Sequence, residues 1–210
     1  MKNYVITIAR GFGSGGKYVG KQLSKKLGIP CYDSKILSMA SEYSGINENL
    51  FHQVDERLRK KSIFRRRSRM AGRDYIVGPT EKQFTSDDNL FRIQTKVIED
   101  LAENQSCIII GKCANHILRQ KSNVVSVYIE APRKDCVASI RDLLAVTEEE
   151  ANHMIQETDR YRSDYYKYYS GGDEWTNPIL YDMTLNTGRI GRDQSVELII
   201  QYLNIKFQKK

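Results

Sequence analysis

The sequence predicts an α/β fold, a mostly parallel five-stranded sheet flanked by helices. Three observations carry this reading. Short β-branched or apolar runs fall at residues 4–8, 31–32, 107–110, 124–129 and 181–187. Between them, apolar residues recur every three or four positions, the helical period. A glycine-rich stretch directly follows the first run. Parallel strands need crossover connections, and the helical segments supply them. With 210 residues and 40% hydrophobic content, the chain can bury one sizeable core and reads as a single domain over 1–210.

The first run, 4–8, leads into Gly11-Phe12-Gly13-Ser14-Gly15-Gly16-Lys17, with four glycines in six residues. Glycine backbone bends tightly and can aim several N–H groups at one anion, and a helix N-terminus adds its dipole. The spacing from Gly11 to Gly16-Lys17 is that of a P-loop. Its usual Ser or Thr after the lysine is replaced by Tyr18. Gly11, Gly13, Ser14, Gly15, Gly16, Lys17 and Tyr18 are therefore the expected ATP-binding residues. Val19, Leu23 and Leu27 then mark a helix that ends at Gly28 and Pro30.

Cys31-Tyr32 reads as a second strand, followed by Asp33-Ser34 and a helix over 35–43. Strand ends of open parallel sheets hold ligands, so Asp33 and Ser34 are candidates for the acceptor; capping the helix explains them equally. Residues 57–73 carry nine basic residues, with Gly72 near their end and Gly78 and Pro79 just beyond. This stretch reads as part of a mobile acceptor-binding insertion near 45–90. It could grip phosphates or nucleic acid, or simply be a solvated face.

A helix is expected over 90–102, capped by Asp87 or Asp88 and carrying Arg92 and Gln94 in its first turns. Cys107–Ile110 suits a strand buried on both faces. Residues 124–129 form another strand, and a helix runs from Cys136 to Leu144. Thr147 and Glu150 form a capping box that opens a helix through Thr158. In the tyrosine-rich segment beyond it, spacings of four and three put Arg160, Asp164 and Lys167 on one helix face. That face suits a nucleotide, and intrahelical ion pairs are the alternative. Residues 145–178 are read as a short lid, 181–187 as a final strand, and 196–203 as the apolar stripe of a closing helix.

Thirty-three Lys and Arg against 26 Asp and Glu give a net charge of +7, which favours anionic partners. No apolar stretch reaches membrane length and no signal-peptide pattern is present, so a cytoplasmic protein without a membrane partner is expected. The four cysteines form no C-x-x-C pair and the three histidines lack metal-site spacing.

Taken together, 6–16, 29–33, Leu90 to Gln94, Ile110 to Ala114, Tyr165 to Tyr169, Tyr181-Asp182 and Asn186-Thr187 occur in an order that resembles the cytidylate kinase-like family, relatives of the P-loop nucleoside monophosphate kinases. The resemblance implies a phosphotransferase that moves the γ-phosphoryl group of ATP to a nucleoside monophosphate, CMP or dCMP being favoured, with ATP and Mg2+ required. It implies that Lys17, Lys112 and Arg160 surround the transferred group. Asp33, Ser34, Arg92, Gln94, Gly111, Lys112, Asp164 and Lys167 would bind the acceptor. The cytidylate kinases have Asp-Gly-Arg-Asp where this chain has Ile110-Gly-Lys-Cys113, and Lys112 takes the arginine's place. No metal ligand is certain, Ser14 being the one candidate. A kinase of a non-nucleotide small molecule, or a nucleotide-sensing or nucleic-acid-binding module without turnover, would use the same features.

Overall fold

The computed structural model describes residues 3–60 and 75–207, with the backbone alone for 55–60. Five strands, β1 (Val5–Arg10), β2 (Cys31–Tyr32), β3 (Cys107–Ile110), β4 (Val124–Glu130) and β5 (Met183–Asn186), form one sheet in the order β2-β3-β1-β4-β5. Every pairing is parallel, with Val5 opposite Cys107 on one side and Val124 on the other. Between and after the strands lie α1 (Gly16–Leu27), α2 (Lys35–Ser44), α3 (Glu48–Lys60), α4 (Asp87–Asn104), α5 (Ala114–Ile117), α6 (Arg133–Leu144), α7 (Glu148–Ser170), α8 (Thr187–Ile190) and α9 (Arg192–Phe207).

Both faces of the sheet are covered, which is why the strands read as nearly continuous apolar runs. Successive side chains alternate between faces. Val5, Cys107, Ile109, Val124 and Tyr128 pack with residues of α2, α3, α4 and α7. Ile6, Ile8, Ile108, Ile110, Val125, Val127 and Ile129 pack with Val19 and Leu23 of α1 and Val196, Ile199 and Leu203 of α9. A smaller cluster of Cys136, Val137, Ile140, Ala151 and Ile155 joins α6 to α7, and Phe12 of the glycine loop packs against it. Both helices of this hairpin thus share a core that touches the loop.

Local chemistry sets the helix ends. Gly28, Gly45 and Gly171 take left-handed conformations just beyond α1, α2 and α7. The capping box at Thr147 and Glu150 is formed, and the helix it opens continues without a break through the tyrosine-rich segment. Two expected caps differ. Ser86, not Asp87 or Asp88, caps α4, its hydroxyl accepting the Asn89 N–H, while both aspartates lie in the first turn beside the helix dipole. Ser34 stands at the start of α2 but has helical backbone angles and makes no side-chain cap bond.

Within the expected insertion, α3 is a helix with Phe51 and Val54 buried against the main core. The side chains of the basic run 57–73 lie outside the described residues. Among the described residues, no helix is long and apolar enough to cross a membrane.

Candidate phosphate loop and acceptor cleft

The glycine loop joins the carboxyl end of β1 to the first turn of α1. Gly11 donates its N–H to Ile129 O (3.0 Å). Gly13 and Gly15 have φ of 89° and 88°, values that side-chain-bearing residues avoid. A Cβ on Gly13 would also sit 2.7 Å from the Cys136 carbonyl oxygen, so the loop can lie against α6 only without one. Arg192, at the start of α9, donates to Ser139 Oγ (2.8 Å) and reaches Gly13 O (3.5 Å). Thr187 donates its hydroxyl to Ser14 O (2.6 Å). The loop is thereby held from α6, α8 and α9, with the amides of the α1 N-terminus at its mouth. This arrangement suits a polyphosphate.

These residues do not fit a direct protein ligand for magnesium, Ser14 being the one candidate in the sequence. Ser14 is fully buried, its hydroxyl facing the Gly11 and Ile129 carbonyls at 2.8 and 3.0 Å. The Tyr18 phenol donates instead to Asp193 (2.8 Å), on α9. Among the described residues no group of three His, Cys, Asp or Glu is placed to hold a metal ion.

Beside the loop, a cleft of about 310 Å3 opens at the carboxyl ends of β1, β2 and β3 and is walled by α7. Its polar lining includes Arg10, Asp33, Lys112 and Arg162, and its aromatic lining includes Tyr161, Tyr165 and Trp175. The Asp33 carboxylate lies 3.1 Å from the Lys17 amine and 3.7 Å from the Arg10 guanidinium. It thus stands between the donor loop and the cleft. Arg162 pairs with Asp159 (3.2 Å), donates to Arg10 O (3.0 Å) and lies over the Phe12 ring at 5.5 Å. Asp159 also accepts the Phe12 N–H (2.8 Å), tying α7 to the glycine loop.

Burial governs the charges here. Desolvation, then the facing Arg162, brings the Arg10 pKa down to about 10. Desolvation likewise lowers Arg162 and raises Asp159, each partly offset by their mutual ion pair.

The floor of the cleft is an unusual turn. Gly111, Lys112 and Cys113 have φ of 73°, 57° and 55° in succession. Two side-chain-bearing residues in left-handed conformation store strain that the surroundings must hold. Gln94, buried on α4, donates both to Lys112 O (3.3 Å) and to Tyr165 Oη (3.2 Å). A Cβ on Gly111 would collide with the Arg10 guanidinium, which lies directly over it.

The structure therefore brings Asp33, Ser34, Gly111 and Lys112 into one cleft beside Lys17. Gln94 braces the cleft from behind. Arg92 is half-buried on α4 and outside the lining. Arg160, Asp164 and Lys167 are also outside it. Arg160 is exposed beside Glu157, and Lys167 pairs with Glu174. The face that α7 turns to the cleft is Thr158, Tyr161, Arg162 and Tyr165, spaced by three, four and seven residues from the first. That helical stripe was available in the sequence and carries Arg162, two positions beyond Arg160. Arg10 had a signal too, as the last residue of a parallel strand before the glycine loop. Asp159 had none, because its partner is a backbone amide distant in sequence.

The model of the cytidylate kinase-like family matches residues 5–189. No curated protein matches the chain. Among solved structures, an uncharacterized protein from Eubacterium ventriosum is similar, with 22% identity, coverage of 96% of this chain and 99% of that one, and a TM-score of 0.68. Shikimate kinase from Acinetobacter baumannii, solved with shikimate, aligns at 16% identity over 99% and 96% of the two chains with a TM-score of 0.52. A gluconokinase from Sinorhizobium meliloti aligns at 11% identity over 99% and 98%, TM-score 0.51. At these identities the likeness is one of fold, that of the P-loop kinases. With the family match spanning strand β1 through helix α8, the chain belongs to the cytidylate kinase-like family.

Proposed function

We propose that the protein is an ATP-dependent phosphotransferase whose acceptor is a nucleoside monophosphate, CMP or dCMP being favoured, acting in the cytoplasm. One observation carries this reading: Asp33 lines the cleft and lies 3.1 Å from the lysine of the glycine loop, so donor loop and cleft share a border. Phosphoryl transfer is largely positioning and charge neutralisation. Gly11 and the loop from Gly13 to Tyr18 would cradle the ATP phosphates. Lys17 and Lys112 would face the transferred group, while Asp33, Ser34 and Gly111 would border the acceptor. Tyr161, Tyr165 and Trp175 offer surfaces for a base. An acceptor phosphate oxygen is already ionised at neutral pH, so no general base is needed. Residues 145–178, which hold α7 and the turns on either side of it, would be the lid, and 45–90 the acceptor-side insertion. Arg160 would then reach the transferred group only after closure. Magnesium would enter with the nucleotide.

A hydroxyl acceptor is the second reading. It is favoured by the same Asp33, a carboxylate beside Lys17 that could accept a hydroxyl proton. The similar shikimate kinase and gluconokinase lend this reading weight by fold.

A coupled ADP-release assay across nucleoside monophosphates, hydroxy acids and polyols tests both. The expected result is turnover with CMP or dCMP, reduced about 100-fold or more in Lys17→Ala protein that melts like wild type. Asp33→Asn then separates the readings. With a phosphate acceptor it chiefly raises KM, whereas with a hydroxyl acceptor kcat falls by roughly 10²–10⁴. No turnover with any monophosphate, in protein shown to bind an ATP analogue, would overturn the nucleotide acceptor.

A further inference from the structure

Arg10 precedes the glycine loop and is given no role by the family resemblance, yet its position is heavily constrained. It ends β1, and its guanidinium lies over Gly111, where any Cβ would collide with it. Its side chain is only 20% exposed. Among the described residues, the nearest carboxylate, Asp33, stands 3.7 Å away and is closer to Lys17, at 3.1 Å. Among the described residues, no group accepts a hydrogen bond from this guanidinium. A guanidinium carries five N–H donors, and covering a cation from water while its donors stay unpaired is costly.

A second guanidinium, Arg162, borders the same cleft with 18% of its side chain exposed. It is fixed by Asp159, by the Arg10 carbonyl and by the Phe12 ring, so it cannot swing away without breaking all three contacts. Two like charges that line one covered cleft repel each other, and an anion between them relieves both. The geometry also indicates which anion. Cations reach the cleft from three separate elements: Arg10 from β1, Lys112 from the turn after β3, and Arg162 from α7. Donors converging from three directions suit a tetrahedral oxyanion with three terminal oxygens better than a planar carboxylate with two. Arginine forks pair with phosphate in a bidentate manner, which adds direction to charge.

We infer that Arg10 and Arg162 form a paired-guanidinium seat for the phosphate monoester of the acceptor, and that Arg10 selects phosphorylated acceptors over those bearing only carboxylate or hydroxyl groups. This rests on reading the cleft as the acceptor site. It also favours the phosphate acceptor over the hydroxyl one.

Calorimetric titration of the ATP-free protein at fixed ionic strength tests it, with CMP, cytidine, inorganic phosphate and acetate as probes. Wild type is expected to bind CMP at least about tenfold more tightly than cytidine, and phosphate but not acetate is expected to displace CMP. Arg10→Met should weaken CMP and phosphate about 10- to 100-fold while cytidine binding stays within about threefold, a pattern that general damage to the fold would not give. Should Arg10→Met fail to fold, Arg10→Lys decides. It keeps a cation but loses the fork, and a loss of about fivefold or more for phosphate is expected. Phosphate affinity in a folded Arg10 variant within about twofold of wild type overturns the seat. The two claims fail separately. A wild type that ignores CMP but binds phosphate through Arg10 refutes the nucleotide acceptor alone. Turnover of CMP with phosphate binding indifferent to Arg10 refutes the seat alone.

Discussion

At the scale of single residues, the glycine loop shows how much depends on atoms that are missing. Gly13 combines a φ of 89° with a backbone neighbour, Cys136, whose carbonyl oxygen and Cα would stand 2.7 and 2.9 Å from any added Cβ. Gly28 has a comparable left-handed φ of 65° but open space around it. The two substitutions to alanine should therefore diverge. Gly28→Ala is expected to cost about 1 kcal/mol in conformational strain and to leave ATP-analogue binding unchanged. Gly13→Ala must also push the loop from α6, so a loss of about 2–4 kcal/mol and at least about tenfold weaker ATP-analogue binding are expected. Thermal melts paired with nucleotide titrations read both. Equal losses at the two positions would mean that contact with α6 does not shape the loop. The turn 111–113 follows the same logic in reverse. There, Lys112 and Cys113 bear side chains in left-handed backbone, and the Gln94 amide helps to hold them.

At the scale of elements, α7 does most to join the parts of the site. Its first turn is fixed by the Thr147–Glu150 capping box, its middle presents Arg162 and Asp159 to the glycine loop, and its last turns bury Tyr165, Tyr166 and Tyr169 in the main core. Phe91 of α4 stacks on Tyr169 at 3.7 Å, anchoring that far end. The amino end, by contrast, rests on the small α6–α7 cluster. Thr147→Ala is expected to cost about 1 kcal/mol and to act locally. Amide exchange at Glu148 to Ala151 should quicken about fivefold, with exchange near Tyr165 unchanged. Uniform quickening along α7 would show that the helix opens as one unit and that its amino end has no independent motion.

At the scale of the whole molecule, the edge strand β5 and the C-terminal helix are tied to the sheet through one carboxylate. Asp182 accepts the Ser126 N–H at 2.8 Å, the Tyr202 hydroxyl at 3.0 Å and the Lys206 ammonium at 3.1 Å. Burial opposes its charge, but these hydrogen bonds outweigh that penalty and hold its pKa below the usual carboxylate value. A folded-state pKa below the unfolded value, about 3.9, means that the stabilisation is fully present above that pH. It is lost as pH falls through the folded-state value. Asp182→Asn is expected to lose about 1.5–3 kcal/mol at pH 7, with roughly 2–4 °C of melting temperature per kcal/mol. The gap from wild type should close on acidification below about pH 4. A gap that stays constant from pH 7 to pH 3 would assign the loss to packing and not to the carboxylate's charge.

The sequence by itself determined the sheet-and-helix order, the glycine loop, the capping box of α7 and the family, because each is written in local spacing or in motifs of neighbouring residues. It located β3 to the residue, since a run buried on both faces has no polar positions to blur its ends. It did not mark α3, α5 or α8, which are short or lie beside charge-rich sequence where periodicity is weak. Only the tertiary structure decided which cations meet. Arg10, Lys112 and Arg162 come from residues about a hundred and fifty apart at the extremes, and no spacing rule connects them. That Arg162 and not Arg160 lines the cleft likewise turned on the rotation of α7 about its axis, which is fixed by Tyr165, Tyr166 and Tyr169 entering the core. Helix period says which residues share a face, but packing alone says which face looks into the cleft.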